Sequence, residues 1–207
     1  VWLNLTSPLK HQLKSPAVVD FNDSSLIESV NALRWDGFGW WSTNVDGSGV
    51  ARVAQYFGIC ITDGAILGIV GGGGAARSTA RTWQKLGGKV LNLGGKRDLD
   101  NYDWFDSEIS SDKRCDVLIN FDDDTIPSDV DVTGFVMNAN YHMLEGEHAD
   151  RVSVITNQVV DGRWLLAAQH LECWRQLWAP HAANLLPSLD LLVSMLVTAE
   201  SVLASYS

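Results

Sequence analysis

The residues between positions 66 and 78 could bind a phosphate. An apolar run, Ile66–Val70, stops at four glycines and continues into alanine-rich sequence. Gly71, Gly73 and Ala76 fit the pattern G-x-G-x-x-G/A, in which the second glycine lets the backbone approach a pyrophosphate. A helix that begins here would point free N–H groups at that anion. The pattern predicts a dinucleotide-binding turn, and the alternative is a glycine-rich turn without a ligand. The candidate cofactor ligands are Gly71, Gly72, Gly73, Gly74, Ala75 and Ala76.

Two cations lie where a second phosphate group could be recognised. The strand predicted at Lys89–Leu93 ends without an acidic residue, and Lys96 and Arg97 follow it. In a dinucleotide-binding fold, Asp or Glu at this strand end favours NAD, whereas basic side chains accommodate the 2′-phosphate of NADP. We therefore predict NADP as the cofactor, and the alternative is two solvated loop charges.

Two further segments place polar side chains beside predicted elements. Asn4–Lys10 begins in a short strand, and Pro8 then forces a turn. Asp46 stands near the start of a predicted helix. Taken singly, each residue also has an interpretation without a catalytic role. Lys10 would then be a lysine on a surface turn, and Asp46 would be an aspartate that caps a helix.

Hydrophobic periodicity and turn signals predict the elements that position these residues. Asp36-Gly37 between two apolar stretches indicates a β-hairpin. Strands and helices alternate from residue 66 to about 155, which indicates a parallel α/β sheet. Further helices are predicted over Ser24–Glu28, Val50–Phe57, Ser78–Leu86 and Leu185–Leu203. One more helix is predicted to follow His11, and another to begin at Gly162. Further strands are predicted over Val1–Leu5, Asp116–Asn120, Phe135–Asn138 and Val152–Ile155.

Composition excludes several classes of protein. The 207 residues are 46% hydrophobic, enough for at most two domains, and the net charge of −10 argues against a nucleic-acid partner. Three widely spaced cysteines and five histidines without ligand spacing predict neither a disulfide framework nor a metal site. No signal peptide or membrane-spanning run is evident, so we expect a cytoplasmic protein with reduced thiols.

Several of these segments together resemble the motifs of one family. Asn4–Lys10, Val30–Asn31 and Asn44–Gly49 look like N-V-T-x-P-x-K, A-V-N-T and N-T-D-G-x-G of the shikimate dehydrogenase family, and Gly71–Arg77 resembles that family's G-A-G-G-A-A-R. The order and the spacing of the segments match as well. The combination is far more specific than any single motif.

The later part of the chain matches the family in places only. Asp116–Asn120 resembles the start of D-x-x-I-N-A-T-S-x-G, but residues 121–124 read F-D-D-D instead of small residues. Gly94–Arg97 stands where the family has N-R-T-x-x-R. Gly162–Gln169 resembles G-x-x-M-L-x-x-Q, whose glutamine contacts substrate. An aspartate cluster near a phosphate would repel it, unless the side chains point to solvent.

The resemblance implies a fold and a division of the chain. It implies an α/β protein with a Rossmann-like parallel sheet domain plus a partial α/β substrate domain that C-terminal helices complete. The partial substrate-binding domain would cover residues 1–58, the NADP-binding domain 59–160, and the C-terminal helices 161–207. The family's S-x-S motif, which holds the substrate carboxylate, does not precede Val1.

The resemblance also implies an activity and the residues that perform it. The family reduces 3-dehydroshikimate reversibly to shikimate with NADP, and a ketone reduction needs a cation or proton at the carbonyl oxygen. Lys10 and Asp46 are the implied catalytic pair, in which Asp46 orients the ammonium group that stabilises the alkoxide. The implied substrate ligands are Thr6, Asn31 and Gln169 for hydroxyl groups and Tyr141 for the carboxylate, and Gly162 joins Lys96 and Arg97 as a cofactor ligand.

Two other functions stay open from the sequence. One is a shikimate-dehydrogenase-like protein that binds without turnover, as a regulator or relic. The other is a dehydrogenase that acts on quinate or another hydroxy acid. The implied partner is a small-molecule substrate, with no nucleic acid and no membrane, and a homodimer is one assembly open to the chain.

Overall fold

The computed structural model of the protein describes residues 1–11, 18–107, 113–122, 127–139, 160 and 162–205. The strands are β1 Trp2–Asn4, β2 Val18–Asp20, β3 Ala32–Trp35, β4 Trp40–Thr43, β5 Ile66–Val70, β6 Lys89–Asn92, β7 Arg114–Asn120 and β8 Asp131–Asn138. The α-helices are α1 Asp46–Tyr56, α2 Gly74–Lys85, α3 Gly162–Cys173 and α4 Leu189–Ala204. Short 3-10 helices cover Leu9–His11, Ile61–Asp63, Leu99–Asn101 and Pro180–Leu185, and a π-helix covers Trp174–Trp178.

The first sheet contains the predicted hairpin. Its strand order is β1-β3-β4-β2, and β3 and β4 pair antiparallel with Trp35 opposite Trp40. Asp36 closes the turn, because its carboxylate accepts the N–H groups of Phe38 and Gly39 at 2.8 and 2.9 Å. These bonds, together with one from the Trp41 indole, lower the pKa of Asp36 to about 2.

The second sheet is parallel throughout, as the alternating pattern predicts. Its strand order is β6-β5-β7-β8, and α2 connects β5 to β6. The strands are apolar and buried on both faces, with Leu67, Ile69, Leu118 and Ile119 fully enclosed. The order reverses between β5 and β7, and a crevice at the carboxyl ends of these two strands is the place where such sheets bind ligands. The predicted Rossmann-like fold class is confirmed.

The C-terminal helices pack against α1 and the first sheet. The backbone of Gln169 in α3 lies against Gly49 of α1, where a Cβ atom on the glycine would come within 3.0 Å. The Trp178 indole donates to the carbonyl of Leu33 in β3 at 3.3 Å, and Arg34 donates to the carbonyl of Leu177 at 3.0 Å. The division of the chain into three parts, with C-terminal helices that complete a substrate domain, stays a prediction.

A buried carboxylate strengthens the contact between α1 and α3. Glu172 accepts hydrogen bonds from Arg52 at 2.8 Å and from Arg175 and Gln176. Burial alone would raise the pKa of Glu172, but the bonds from Arg175, Arg52 and Gln176 outweigh it and lower the pKa. The charge is therefore compensated where it is buried.

Some predicted elements differ from the structure. The helix predicted at Ser24–Glu28 is wrong, because the Asp20 carboxylate accepts the N–H groups of Ser24 and Ser25 and holds this segment in turns. The last helix begins at Leu189 instead of Leu185, since Pro187 disfavours helical backbone in the residue before it. The helix expected after His11 and the strand at Val152–Ile155 lie outside the described residues. None of the described helices combines the length and apolar character needed to cross a membrane.

Candidate active site

We call the first sheet, the segments between its strands and α1 the first lobe, and the second sheet with α2 the second lobe. A lysine, an aspartate and an asparagine from three separate segments meet in the first lobe. The Lys10 ammonium donates to Asp46 Oδ2 at 2.8 Å, and the Asn31 amide donates to Asp46 Oδ1 at 2.8 Å. Asn31 Oδ1 in turn accepts the N–H group of Val45 at 3.0 Å. The side chain of Asp46 is 3% exposed and that of Lys10 is 13% exposed, so the charge pair is largely shielded from water.

Backbone bonds bring these segments together. The N–H group of Val30 donates to the carbonyl of Lys10 at 2.9 Å, which fixes the turn after β1 beside the residue that precedes Asn31. Asn44 Oδ1 accepts the N–H group of Asp46 at 3.0 Å and so aligns the first residue of α1. An ammonium group held in this way can donate a hydrogen bond or a proton to an oxyanion beside it.

The glycine-rich turn has the geometry of an anion site. Gly71 has a φ of +113°, which favours glycine, and Gly73 precedes α2 in an extended conformation without a side-chain cap on the first helical turn. A Cβ atom on Gly73 would meet the guanidinium group of Arg97 at 3.2 Å. Uncapped N–H groups and a cation beside the turn fit the pyrophosphate of a dinucleotide.

A buried arginine joins the turn to the first lobe. Arg77, in the first turns of α2, donates to the carbonyls of Gly72 at 3.4 Å, Ile27 at 2.7 Å and Glu28 at 3.0 Å, and to the Tyr102 hydroxyl at 2.6 Å. Its guanidinium group also lies 3.2 Å from Nδ1 of His11. Burial lowers the pKa of Arg77. Sequence reasoning did not select Arg77, although it ends the G-A-G-G-A-A-R segment.

One member of the aspartate cluster that follows β7, Asp122, lies across the turn. Asp122 directly follows Phe121 after β7, and its carboxylate lies over Gly71. A Cβ atom on Gly71 would lie 2.8 Å from Oδ1 of Asp122. Its Oδ2 accepts the N–H group of Lys96 at 2.6 Å, and its carbonyl accepts the Lys96 ammonium at 3.2 Å. The signal in the sequence is the acidic residue at 122, where the family has small residues.

The remaining predicted residues occupy different environments. Thr6 is exposed in the turn after β1, Gln169 is buried in α3, and Gly162 is the buried first residue of α3. Tyr141 lies outside the described residues. In the parts of the chain that the structure describes, no group of three or more His, Cys, Asp or Glu side chains is arranged to hold a metal ion.

Comparisons with known proteins agree with the predicted resemblance. No protein-family model matches the chain. The chain is similar to the shikimate dehydrogenase (NADP(+)) of Methylibium petroleiphilum, with 36% identity over 94 residues, which are 45% of this chain and 32% of the relative. The aligned region thus spans about a third of the curated relative.

Solved structures extend the similarity in fold. The shikimate 5-dehydrogenase of Thermus thermophilus in complex with shikimate superposes with a TM-score of 0.72 and 22% identity, over 96% of this chain and 78% of that one. The same enzyme with NADP(H) and shikimate gives a TM-score of 0.70 at 20% identity, over 93% and 77%. The shikimate dehydrogenase of Aquifex aeolicus gives 0.67 at 19%, over 86% and 72%. The resemblance to the shikimate dehydrogenase family that the motifs predict is thus confirmed, in sequence over 94 residues and in fold over most of the chain.

Proposed function

We propose that this protein is an NADP-dependent dehydrogenase that interconverts 3-dehydroshikimate and shikimate. The observation that carries the proposal is the shielded Lys10–Asp46 pair, held by Asn31 in the lobe next to an anion-binding turn. The names of the sequence relative and of the structural neighbours supply the substrate and the cofactor.

The chain's own residues account for the polar half of a ketone reduction. NADPH, when bound, supplies the hydride. Lys10 places its ammonium group at the carbonyl oxygen, where negative charge develops, and donates the proton that completes the hydroxyl group. Asp46 orients that ammonium group, and Asn31 fixes the other carboxylate oxygen. In this proposal Thr6, Gln169 and Tyr141 bind the substrate's hydroxyl and carboxylate groups.

The test is shikimate oxidation with NADP+, followed by the appearance of NADPH. Lys10→Ala is expected to lower kcat by about 10²–10⁴-fold, with little change in cofactor affinity, because it removes a positioned acid. The double variant Lys10→Ala/Asp46→Ala should be scarcely slower than the poorer single variant, since the two residues act as a unit.

A matched control removes a lysine from an exposed ion pair. Lys113 pairs with Asp129 and lies next to the first residue of β7, whereas Asn120 is the last residue of that strand. Lys113→Ala should therefore leave kcat unchanged. If the wild-type protein oxidises no shikimate with NADP+ or NAD+, the proposed activity is refuted.

The second candidate is binding without turnover. It is favoured by one observation, the Asp122 carboxylate over Gly71, because an anion at the turn opposes the approach of another. A protein of this kind would bind shikimate in a calorimetric titration and would still show no oxidation.

A further inference from the structure

We infer that Arg97 binds the pyrophosphate of the dinucleotide and does not read the 2′-phosphate that distinguishes NADP from NAD. The inference rests on the proposed function, because it assigns a part of the same cofactor to a residue of this chain. It replaces the interpretation of Lys96 and Arg97 as a joint 2′-phosphate site.

The position of the Arg97 side chain is the first argument. A Cβ atom on Gly73 would lie 3.2 Å from Nη2 and 3.6 Å from Cζ of Arg97. Gly73 is the second glycine of the G-x-G pattern, the position where the backbone must let the pyrophosphate approach. The guanidinium group therefore already lines the path that the pyrophosphate takes, and its planar fork suits phosphate oxygens.

The charges around Arg97 are the second argument. Its neighbours at the turn include the buried guanidinium group of Arg77, and the charge of Arg97 adds to burial in lowering the pKa of Arg77. The start of α2 adds a partial positive charge. Among the described residues, no carboxylate forms an ion pair with Arg97. The Asp122 carboxylate lies over Gly71 at the other side of the turn, where the N–H group of Lys96 binds it. The two guanidinium groups and the helix N-terminus therefore favour an anion next to Gly73.

The other residues of the loop explain why the 2′-phosphate is not the target. Lys96 is folded toward the end of β7, because both its N–H and its ammonium group bind Asp122. The side chain of Asn92, the last residue of β6, instead donates to the Asp98 carboxylate at 2.6 Å. The ribose meets the protein at the end of this strand, and it is Asp98 that Asn92 holds there, not Lys96 or Arg97.

The experiment compares NADPH and NADH, titrated separately into wild type, Arg97→Ala and Lys96→Ala and followed by nucleotide fluorescence. Arg97→Ala should weaken both nucleotides by the same factor, roughly 10- to 100-fold, because both carry the pyrophosphate. Lys96→Ala removes a neighbouring cation from the same loop and should change both affinities by much less. Arg97→Lys should recover part of the affinity for both nucleotides.

Two outcomes would overturn the inference. One is a loss confined to NADPH in Arg97→Ala, which would assign Arg97 to the 2′-phosphate, and the other is unchanged affinity for both nucleotides. If the wild-type protein binds neither nucleotide, the cofactor in the proposed function is refuted. Inorganic pyrophosphate, titrated by calorimetry, then decides the role of Arg97: binding lost in Arg97→Ala supports it, and equal or absent binding in the two proteins rejects it.

Discussion

Both oxygens of the Asp46 carboxylate are occupied by different donors. Lys10 holds Oδ2 and Asn31 holds Oδ1, and Asp46 itself is 2% exposed. A buried carboxylate without such donors carries a large desolvation penalty. Asn31 therefore supports the charge pair even though it carries no charge.

Replacement of this asparagine by an apolar side chain of similar size tests that role. Asn31→Leu leaves Asp46 Oδ1 and the Val45 N–H group without their partners, so we expect the free energy of unfolding to fall by about 1–3 kcal/mol. Urea denaturation measures the loss. Asn101→Leu, at an exposed position, is the control, and equal stability of the two variants would contradict the expected role.

Asp98 offers a second prediction at the scale of one residue. Its carboxylate binds the Asn92 amide and the N–H group of Asp100, and the Asn92 bond is the main reason that its pKa is lowered. Asp98→Asn removes a negative charge near the end of β6 and should raise the affinity for NADPH relative to NADH. The ratio of the two dissociation constants is the measurement, and an unchanged ratio would place the ribose elsewhere.

Lys10 and Asp46 can be predicted from the sequence as a pair, whereas the different positions of the Lys96 and Arg97 side chains cannot. The first pair lies in ordered motifs next to a strand end and a helix start, so local sequence places each residue. Two adjacent cations on a loop differ in where their side chains point. Here the direction of Lys96 depends on Asp122, which is distant in the sequence and contacts Lys96 only in the folded protein. Long-range contacts of this kind leave no local signal.

At the scale of elements, the close approach of α1 and α2 joins the two lobes. The N–H group of Gly47 donates to the Ser78 hydroxyl at 3.0 Å. A Cβ atom on Gly47 would lie 2.2 Å from the carbonyl oxygen of Ser78, so the two helices meet where only glycine fits. This glycine directly follows Asp46, and the contact therefore bears on the candidate site.

Gly47→Ala should separate the two helices. We expect a loss of about 1–3 kcal/mol in the free energy of unfolding, because the neighbouring group is backbone and cannot rotate away. Gly39→Ala is the matched control, since a Cβ atom there meets nothing within 4 Å. Thermal unfolding of both variants is the measurement, and similar midpoints would show that the helices move apart at little cost.

The elements around the turn are predictable because their signals are local. Ile66–Val70 is apolar and ends at glycines, and Gly87 ends the following helix, so strand, turn and helix follow from the sequence alone. Ser24–Glu28 shows the limit of such reasoning. Asp20 competes for the N–H groups that a helix would use, and its own position depends on the pairing of β2 with β4.

At the scale of the whole molecule, two cysteines are buried in separate clusters. Cys115 lies in the second sheet with Leu118 and Val136, and Cys173 lies between the first sheet and the C-terminal helices. Burial raises the pKa of Cys115 to about 11 and that of Cys173 to about 12. Both thiols therefore resist ionisation while the protein is folded.

This difference predicts a loss of stability in alkaline solution. The unfolded chain releases the two thiol protons around the ordinary pKa of 9.0, whereas the folded chain retains them, so the free energy of unfolding falls as the pH rises above that value. Urea denaturation of wild type and Cys173→Ala over a pH series measures the effect. The variant should lose less stability than the wild type, and Cys60→Ala, which alters an exposed cysteine, should match the wild type. Parallel pH curves for wild type and Cys173→Ala would contradict the prediction.

If the protein binds a dinucleotide and shikimate as proposed, the contacts of Arg77 connect the two binding events. Its guanidinium group donates to the carbonyl of Gly72 in the glycine-rich turn and to that of Glu28 in the first lobe. It also lies against His11, the neighbour of Lys10. A ligand that orders one of these segments leaves less conformational entropy for the other ligand to remove. In that case the dinucleotide would raise the affinity for shikimate by the same factor by which shikimate would raise that for the dinucleotide. The affinity for either ligand would thereby depend on whether the other is bound.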